Sequence, residues 1–119
     1  AAIALRIIGN RDALPVLITA MQDENRFVRR EVIKSLGRIG DHSVIDTLIA
    51  ALKDPDRSVR LRAVSALSKC RDKRVIEPLI EALNDEDSGV RLRVIRALEE
   101  IDDPRAADAL NNSYGDEGS

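Results

Sequence analysis

Apolar residues recur along the chain at helical spacing, in two short blocks per unit, and the unit repeats every 31 residues without insertion. In the stretch from Asp56 to Cys70, the residues Val59, Ala63, Val64, Ala66, Leu67 and Cys70 share one arc of a wheel turned by about 100° per residue. In the stretch from Arg74 to Asn84, Val75, Ile76, Leu79, Ile80, Ala82 and Leu83 do the same. Each unit therefore predicts two amphipathic helices, and strand-like alternation is absent throughout.

Superposing the units lines up the same residue types. Leu5, Leu36, Leu67 and Leu98 share one slot, and Leu17, Leu48, Leu79 and Leu110 another. Ile8, Ile39, Cys70 and Ile101 share a third, and Asp23, Asp54, Asp85 and Asp116 a fourth. A single helix pair cannot bury its apolar arc, so neighbouring pairs must stack. The expected fold is all-α, a right-handed α-solenoid of about four stacked antiparallel helix pairs. It forms one domain over 1–114, with units at about 1–22, 23–53, 54–84 and 85–114, followed by a flexible tail at 115–119.

The punctuation between helices fits this division. Gly9-Asn10 and Gly40-Asp41 read as helix ends followed by cap candidates. Asp54-Pro55-Asp56 reads as a cap with Pro in the first turn, and Pro15 and Pro78 fall near the starts of second helices, where a missing N–H costs least. Ala1 occupies the slot of Val32, so the chain opens partway into a helix. That helix is unusually apolar through Ala1, Ile3, Ala4, Ile7 and Ile8. Either a preceding repeat covers it, or the protein self-associates there. At the far end, Asn111, Asn112 and Ser113 replace apolar residues and read as a C-terminal cap, while Tyr114 takes a core slot.

The pattern Asp-x-x-x-x-Val-Arg, followed by Ala-Leu, Ile-Gly-Asp and a Val-Ile-led second helix, resembles HEAT-like repeats. It is carried by Asp54, Val59, Arg60, Ala66, Leu67, Ile39-Gly40-Asp41 and Ile76 to Asp85. The short form also found in phycobilisome lyases is the most similar. The resemblance implies an armadillo-type superhelix whose first helices line the concave side. For function it spans scaffolds, adaptors, lyase subunits and a few enzymes.

Composition narrows the chemistry. Charged residues make up 34% and aromatics 2%, with a net charge of −2, and no apolar run approaches a membrane span of ~18 residues. A single Cys excludes an internal disulfide framework and points to a reducing compartment, expected to be the cytoplasm. His42 is the only histidine and falls in a turn slot, and Cys70 falls in a slot otherwise filled by Ile. Neither reads as catalytic, and no phosphate loop or Cys/His cluster is present. The expectation is therefore no catalytic residue, no metal and no cofactor. The Asp54/Asp56 and Asp85/Glu86/Asp87 clusters recur at helix starts, where carboxylates cap N–H groups and meet the positive end of the dipole.

Arg29, Arg60 and Arg91 share a slot inside the apolar arc, between the directions of the residues equivalent to Val64 and Leu67. A guanidinium on the buried side needs carboxylate or carbonyl partners. The Asp slot of the adjoining loops, Asp23, Asp54 and Asp85, would make these arginines rungs of a structural ladder between repeats.

The opposite arc of the first helix spans about 140° and carries the candidate partner surface. Its named members are Arg26, Phe27, Arg30, Lys34, Arg57, Leu61, Arg62, Lys69, Leu92, Arg93 and Arg96. Across the eighteen slots of this arc there are nine basic and two acidic residues, although the chain as a whole is slightly acidic. A basic stripe with isolated apolar anchors suits an acidic or mixed protein surface. Nucleic acid is the alternative partner for such a stripe, against which stand the net negative charge and the scarcity of stacking aromatics. A bilin-lyase-like or chaperone subunit acting with a partner is implied by the resemblance alone.

Overall fold

A computed structural model of the chain describes residues 14–39, 44–70 and 72–117. Seven α-helices occur among the described residues: α1 (Leu14–Ala20), α2 (Arg26–Ile39), α3 (Ile45–Ala51), α4 (Arg57–Lys69), α5 (Ile76–Glu81), α6 (Ser88–Glu100) and α7 (Pro104–Glu117). Short 3-10 turns at Lys73–Val75 and Ala82–Asn84 bracket α5, so the second helix of that unit covers Lys73 to Asn84 in three segments. No strand is present among them.

The long first helices α2, α4 and α6 pack side by side as one layer, and each also packs on the second helix of the preceding unit, while α6 packs on α7 of its own unit as well. The result is an all-α solenoid of extents 50 × 25 × 15 Å. Its radius of gyration of 14.7 Å exceeds the roughly 13 Å of a compact body of this size. The interior is aliphatic. Leu36, Leu48, Leu67, Leu79 and Leu98, with Val59, Val64, Val90 and Val94, are almost entirely shielded from solvent.

First helices begin on an Asp or Asn one residue before the helix. Asp56 accepts from Val59 N–H at 3.2 Å, Asp87 from Val90 N–H at 2.9 Å, and Asn25 from Phe27 N–H at 2.8 Å. Pro55 therefore precedes the cap and lies outside the first turn of α4, contrary to the sequence expectation. Two residues before the cap, Asp54 Oδ1 accepts from Asp56 N–H and Asp85 Oδ1 from Asp87 N–H, both at 2.9 Å. These Asx turns fold each inter-repeat loop onto its own carboxylate. The ends of α4 and α6 use Cys70 and Ile101 in extended backbone rather than glycine.

At the C-terminus α7 continues through Glu117, so Gly115 to Glu117, expected in the tail, are helical. Asn111 and Asn112 are exposed. The two Gly-Asx helix ends, His42, the Tyr114 side chain and the apolar helix expected to cover an upstream repeat or self-associate all lie outside the described residues.

Candidate functional site

The first-helix layer divides its basic residues into two groups. The paired group lies toward the helix N-termini. Arg29 donates from Nε and Nη2 to the Asp54 carboxylate at 2.9 and 3.2 Å, and its Nη1 donates to the carbonyls of Asp23 and Glu24 at 2.8 and 3.1 Å. Arg60 is 6% exposed. Its Nη1 donates to the carbonyls of Asp54 and Pro55 at 2.7 and 3.2 Å. Its Nε lies 2.9 Å from Asp85 Oδ2, with the N–H out of line with that oxygen, so the contact is Coulombic rather than a straight hydrogen bond. Arg91 donates to the Asp85 carbonyl at 2.6 Å. Arg29 and Arg60 thus each hold their own loop through carbonyls and the next loop through its carboxylate. Asp23 enters this set through its carbonyl, not its carboxylate.

A second set of cross-repeat pairs lies beside the first. Arg30 donates from Nε and Nη2 to the two oxygens of Asp56 at 2.8 and 3.0 Å, and Arg57 does the same to Asp87 at 3.0 and 3.3 Å. The Arg30 hydrogen bonds hold the Asp56 carboxyl below the usual carboxylate range, and the Arg57 pair does the same for Asp87. Arg30 and Arg57, expected to be offered to a partner, therefore already share their guanidinium forks with a capping carboxylate. A Cβ at Gly89 would stand 3.0 Å from both Arg57 Nη2 and Asp87 Oδ2, so the pair occupies space that a side chain would need.

The other candidates are placed differently. Phe27 and Leu92 are exposed at 57% and 51%, whereas Leu61 is half-buried and packs on the core, which corrects its expected role as an exposed anchor. The Phe27 ring lies 5.3 Å from the Arg26 guanidinium and 5.0 Å from that of Arg30, in cation–π geometry. Lys34, Arg62, Lys69, Arg93 and Arg96 are exposed and, among the described residues, have no carboxylate within ion-pair distance.

Four of these five cations line one groove of about 280 Å³ between α2 and α4, together with Arg38. Its lining holds Lys34, Arg38, Arg62, Lys69 and Arg93, without a carboxylate, above Ile33, Gly37 and Ala66. A Cβ at Gly37 would meet the Ala66 Cβ at 3.4 Å, so small residues let the two helices approach here. Arg93 reaches the groove from α6 and donates to Ser65 Oγ at 3.0 Å.

A third set of pairs, on the edge where the helices of one unit join, was not legible from repetition of the arginine slot. Arg74 pairs with Asp72 at 3.1 Å and reaches Asp46 of the preceding unit at 3.8 Å. Arg105 pairs with Asp103 at 3.3 Å and reaches Glu77 at 3.7 Å. The Asp-x-Arg spacing of Asp72 to Arg74, repeated at Asp103 to Arg105, was the available signal. The Cys70 thiol, half-buried and near Asp72, is pushed up chiefly by burial. Among the described residues no group of three His, Cys, Asp or Glu is placed to hold a metal ion, and no helix is long and apolar enough to cross a membrane.

With this geometry in place, comparison with known families finds a match to the profile described as HEAT repeats, over residues 1–55 and again over 45–119. A comparison with curated proteins finds no match.

Proposed function

The chain belongs to the HEAT-repeat family, whose members generally serve as protein-interaction scaffolds, and on that premise we propose that it is a non-catalytic docking module for an acidic or mixed protein surface, working in a reducing, cytoplasmic setting. The partner lies on the layer of first helices, the side that the resemblance assigns to the concave face. One observation carries the reading: the exposed Lys34, Arg62, Lys69, Arg93 and Arg96 are left without carboxylate partners among the described residues, on the same layer of helices that exposes the apolar side chains of Phe27 and Leu92.

Physical reasoning favours a binding surface over an idle one. Four described arginines of this layer, Arg29, Arg30, Arg57 and Arg60, are paired with carboxylates of the next loop, which these five cations do not reach. The remaining cations repel each other at short range, a cost that an acidic ligand removes. Phe27 and Leu92 supply exposed apolar area, and a few such side chains dominate affinity once a partner covers them.

The test is capture of a glutamate-rich peptide by the intact chain and by the triple variant Arg62→Glu, Arg93→Glu, Arg96→Glu. Loss of capture with an unchanged melting temperature supports the reading. Unchanged capture removes this face from consideration. Steeply salt-dependent binding of random duplex DNA, tighter than that of the peptide at moderate salt, would assign the surface to nucleic acid instead.

A further inference from the structure

The groove between α2 and α4 differs from the rest of the docking face. Phe27 and Leu92, the exposed apolar anchors, are not part of its lining, whose apolar residues are Ile33, Gly37 and Ala66 alone. Ile33 and Ala66 are buried, so the groove offers little apolar side chain for an aromatic or aliphatic anchor of a protein partner. It offers charge in a small volume: five cations border about 280 Å³. A single carboxylate leaves most of that charge unmatched, whereas a phosphoryl group brings up to two negative charges and three acceptor oxygens to one point.

Helix direction locates the seat more closely. Arg38 and Lys69 stand in the last turns of α2 and α4, where the partial negative charge of the helix C-terminus already offsets a cation. Lys34, Arg62 and Arg93 stand away from those ends, one on each of α2, α4 and α6. Ser65 adds a donor. Its Oγ accepts from Arg93 Nη1 at 3.0 Å, which leaves its own O–H to give and holds Arg93 over the groove.

From these placements we propose that the groove recognises a phosphorylated side chain within an acidic partner segment, seated among Lys34, Arg62, Arg93 and the Ser65 hydroxyl. This rests on the docking function proposed above and names the chemistry of its partner. The phosphoryl group takes the forked guanidinium of Arg62, the point charge of Lys34 and the hydroxyl of Ser65, while glutamates flanking it meet the outer cations. Phosphorylation of the partner is then the switch for docking.

The probe is a short glutamate-rich peptide with one central serine, compared with the same peptide phosphorylated at that serine. The readout is the ratio of the two affinities on the intact chain. The expected ratio is about tenfold in favour of the phosphorylated form, falling toward one in Ser65→Ala and in Arg62→Lys, which keeps the charge but loses the fork. Equal affinity for both peptides overturns the proposal while leaving the docking function standing. A tenfold ratio that survives both substitutions overturns the proposed seat. Binding of neither peptide ends both readings. Displacement of the phosphopeptide by random duplex DNA at equal phosphate concentration overturns the proposal in favour of nucleic acid.

Discussion

Asp56 does two things at once: it caps α4 through Val59 N–H and receives both arms of Arg30 from the preceding repeat, at 2.8 and 3.0 Å. The carboxylate that starts one helix is also the anchor for the helix before it. Arg57 and Asp87 repeat the relationship one unit later. Stacking in this solenoid is therefore set by polar fasteners at the helix N-termini as well as by the aliphatic core.

The buried fastener is the costliest to remove. Arg60 and Asp85 each have side chains 8% exposed, so Arg60→Ala strands a carboxylate and two loop carbonyls away from a cation. The expected loss is about 3 kcal/mol, the range for breaking a buried pair from one side. In thermal unfolding this is a fall of roughly 10 °C or more. A Tm within a degree or two of the unmodified protein would show that the loop holds without its arginine.

Acid should loosen the repeat junctions. The Asp56 and Asp87 carboxyls are held below their ordinary range by Arg30 and Arg57 respectively, and Asp103 by the Arg105 N–H and guanidinium. A carboxyl depressed in the folded chain adds stability that is fully present above its unfolded value of about 3.9, and that stability is lost as pH falls through the lower folded value. Melting temperature should thus be flat on the acidic side down to about pH 5 and fall below about pH 4. Asp56→Asn keeps a capping side chain but loses the charge, so its curve should start lower and fall less steeply. Parallel curves would remove Asp56 from the acid response.

Two helical glycines should respond in opposite ways to alanine. At Gly37 the new Cβ meets Ala66 Cβ at 3.4 Å, an ordinary contact, so Gly37→Ala should stabilise by up to about 1 kcal/mol through reduced backbone entropy. At Gly89 the Cβ falls 3.0 Å from Arg57 Nη2 and Asp87 Oδ2, so the same change displaces a cross-repeat pair. Denaturant midpoints measure both. Equal gains at the two positions would show that the Arg57–Asp87 pair adds nothing to stability.

Identity between repeats made some of this legible and concealed the rest. The core slots were readable because the same aliphatic type returns at Leu36, Leu67 and Leu98, and the structure buries all three. The Arg30–Asp56 and Arg57–Asp87 pairs were not, because their slots change character along the chain. Arg30 aligns with Leu61 and Leu92, and Arg57 with Arg26 and Ser88. A slot that varies reads as free of folding constraint, yet here it fastens one repeat and faces solvent in another. Leu61 misled for the same reason: it shares a slot with the exposed Leu92 but is partly buried against the core. The position of Pro55 turned on two residues of register. Asp54 and Asp56 are both competent caps in sequence, and only the Asx turn from Asp54 to Asp56 N–H makes Asp56 the cap.

The central claim is that the basic residues of one helix layer divide into fasteners and ligands. The most direct measurement is calorimetric titration of the glutamate-rich peptide into Arg60→Ala and into the triple variant Arg62→Glu, Arg93→Glu, Arg96→Glu, with Tm recorded for each. The division predicts that Arg60→Ala loses stability and keeps the peptide affinity at a temperature where it is folded, while the triple variant keeps its Tm and loses affinity by about tenfold or more. A stable Arg60→Ala protein that no longer binds, or a triple variant that binds unchanged, would contradict it.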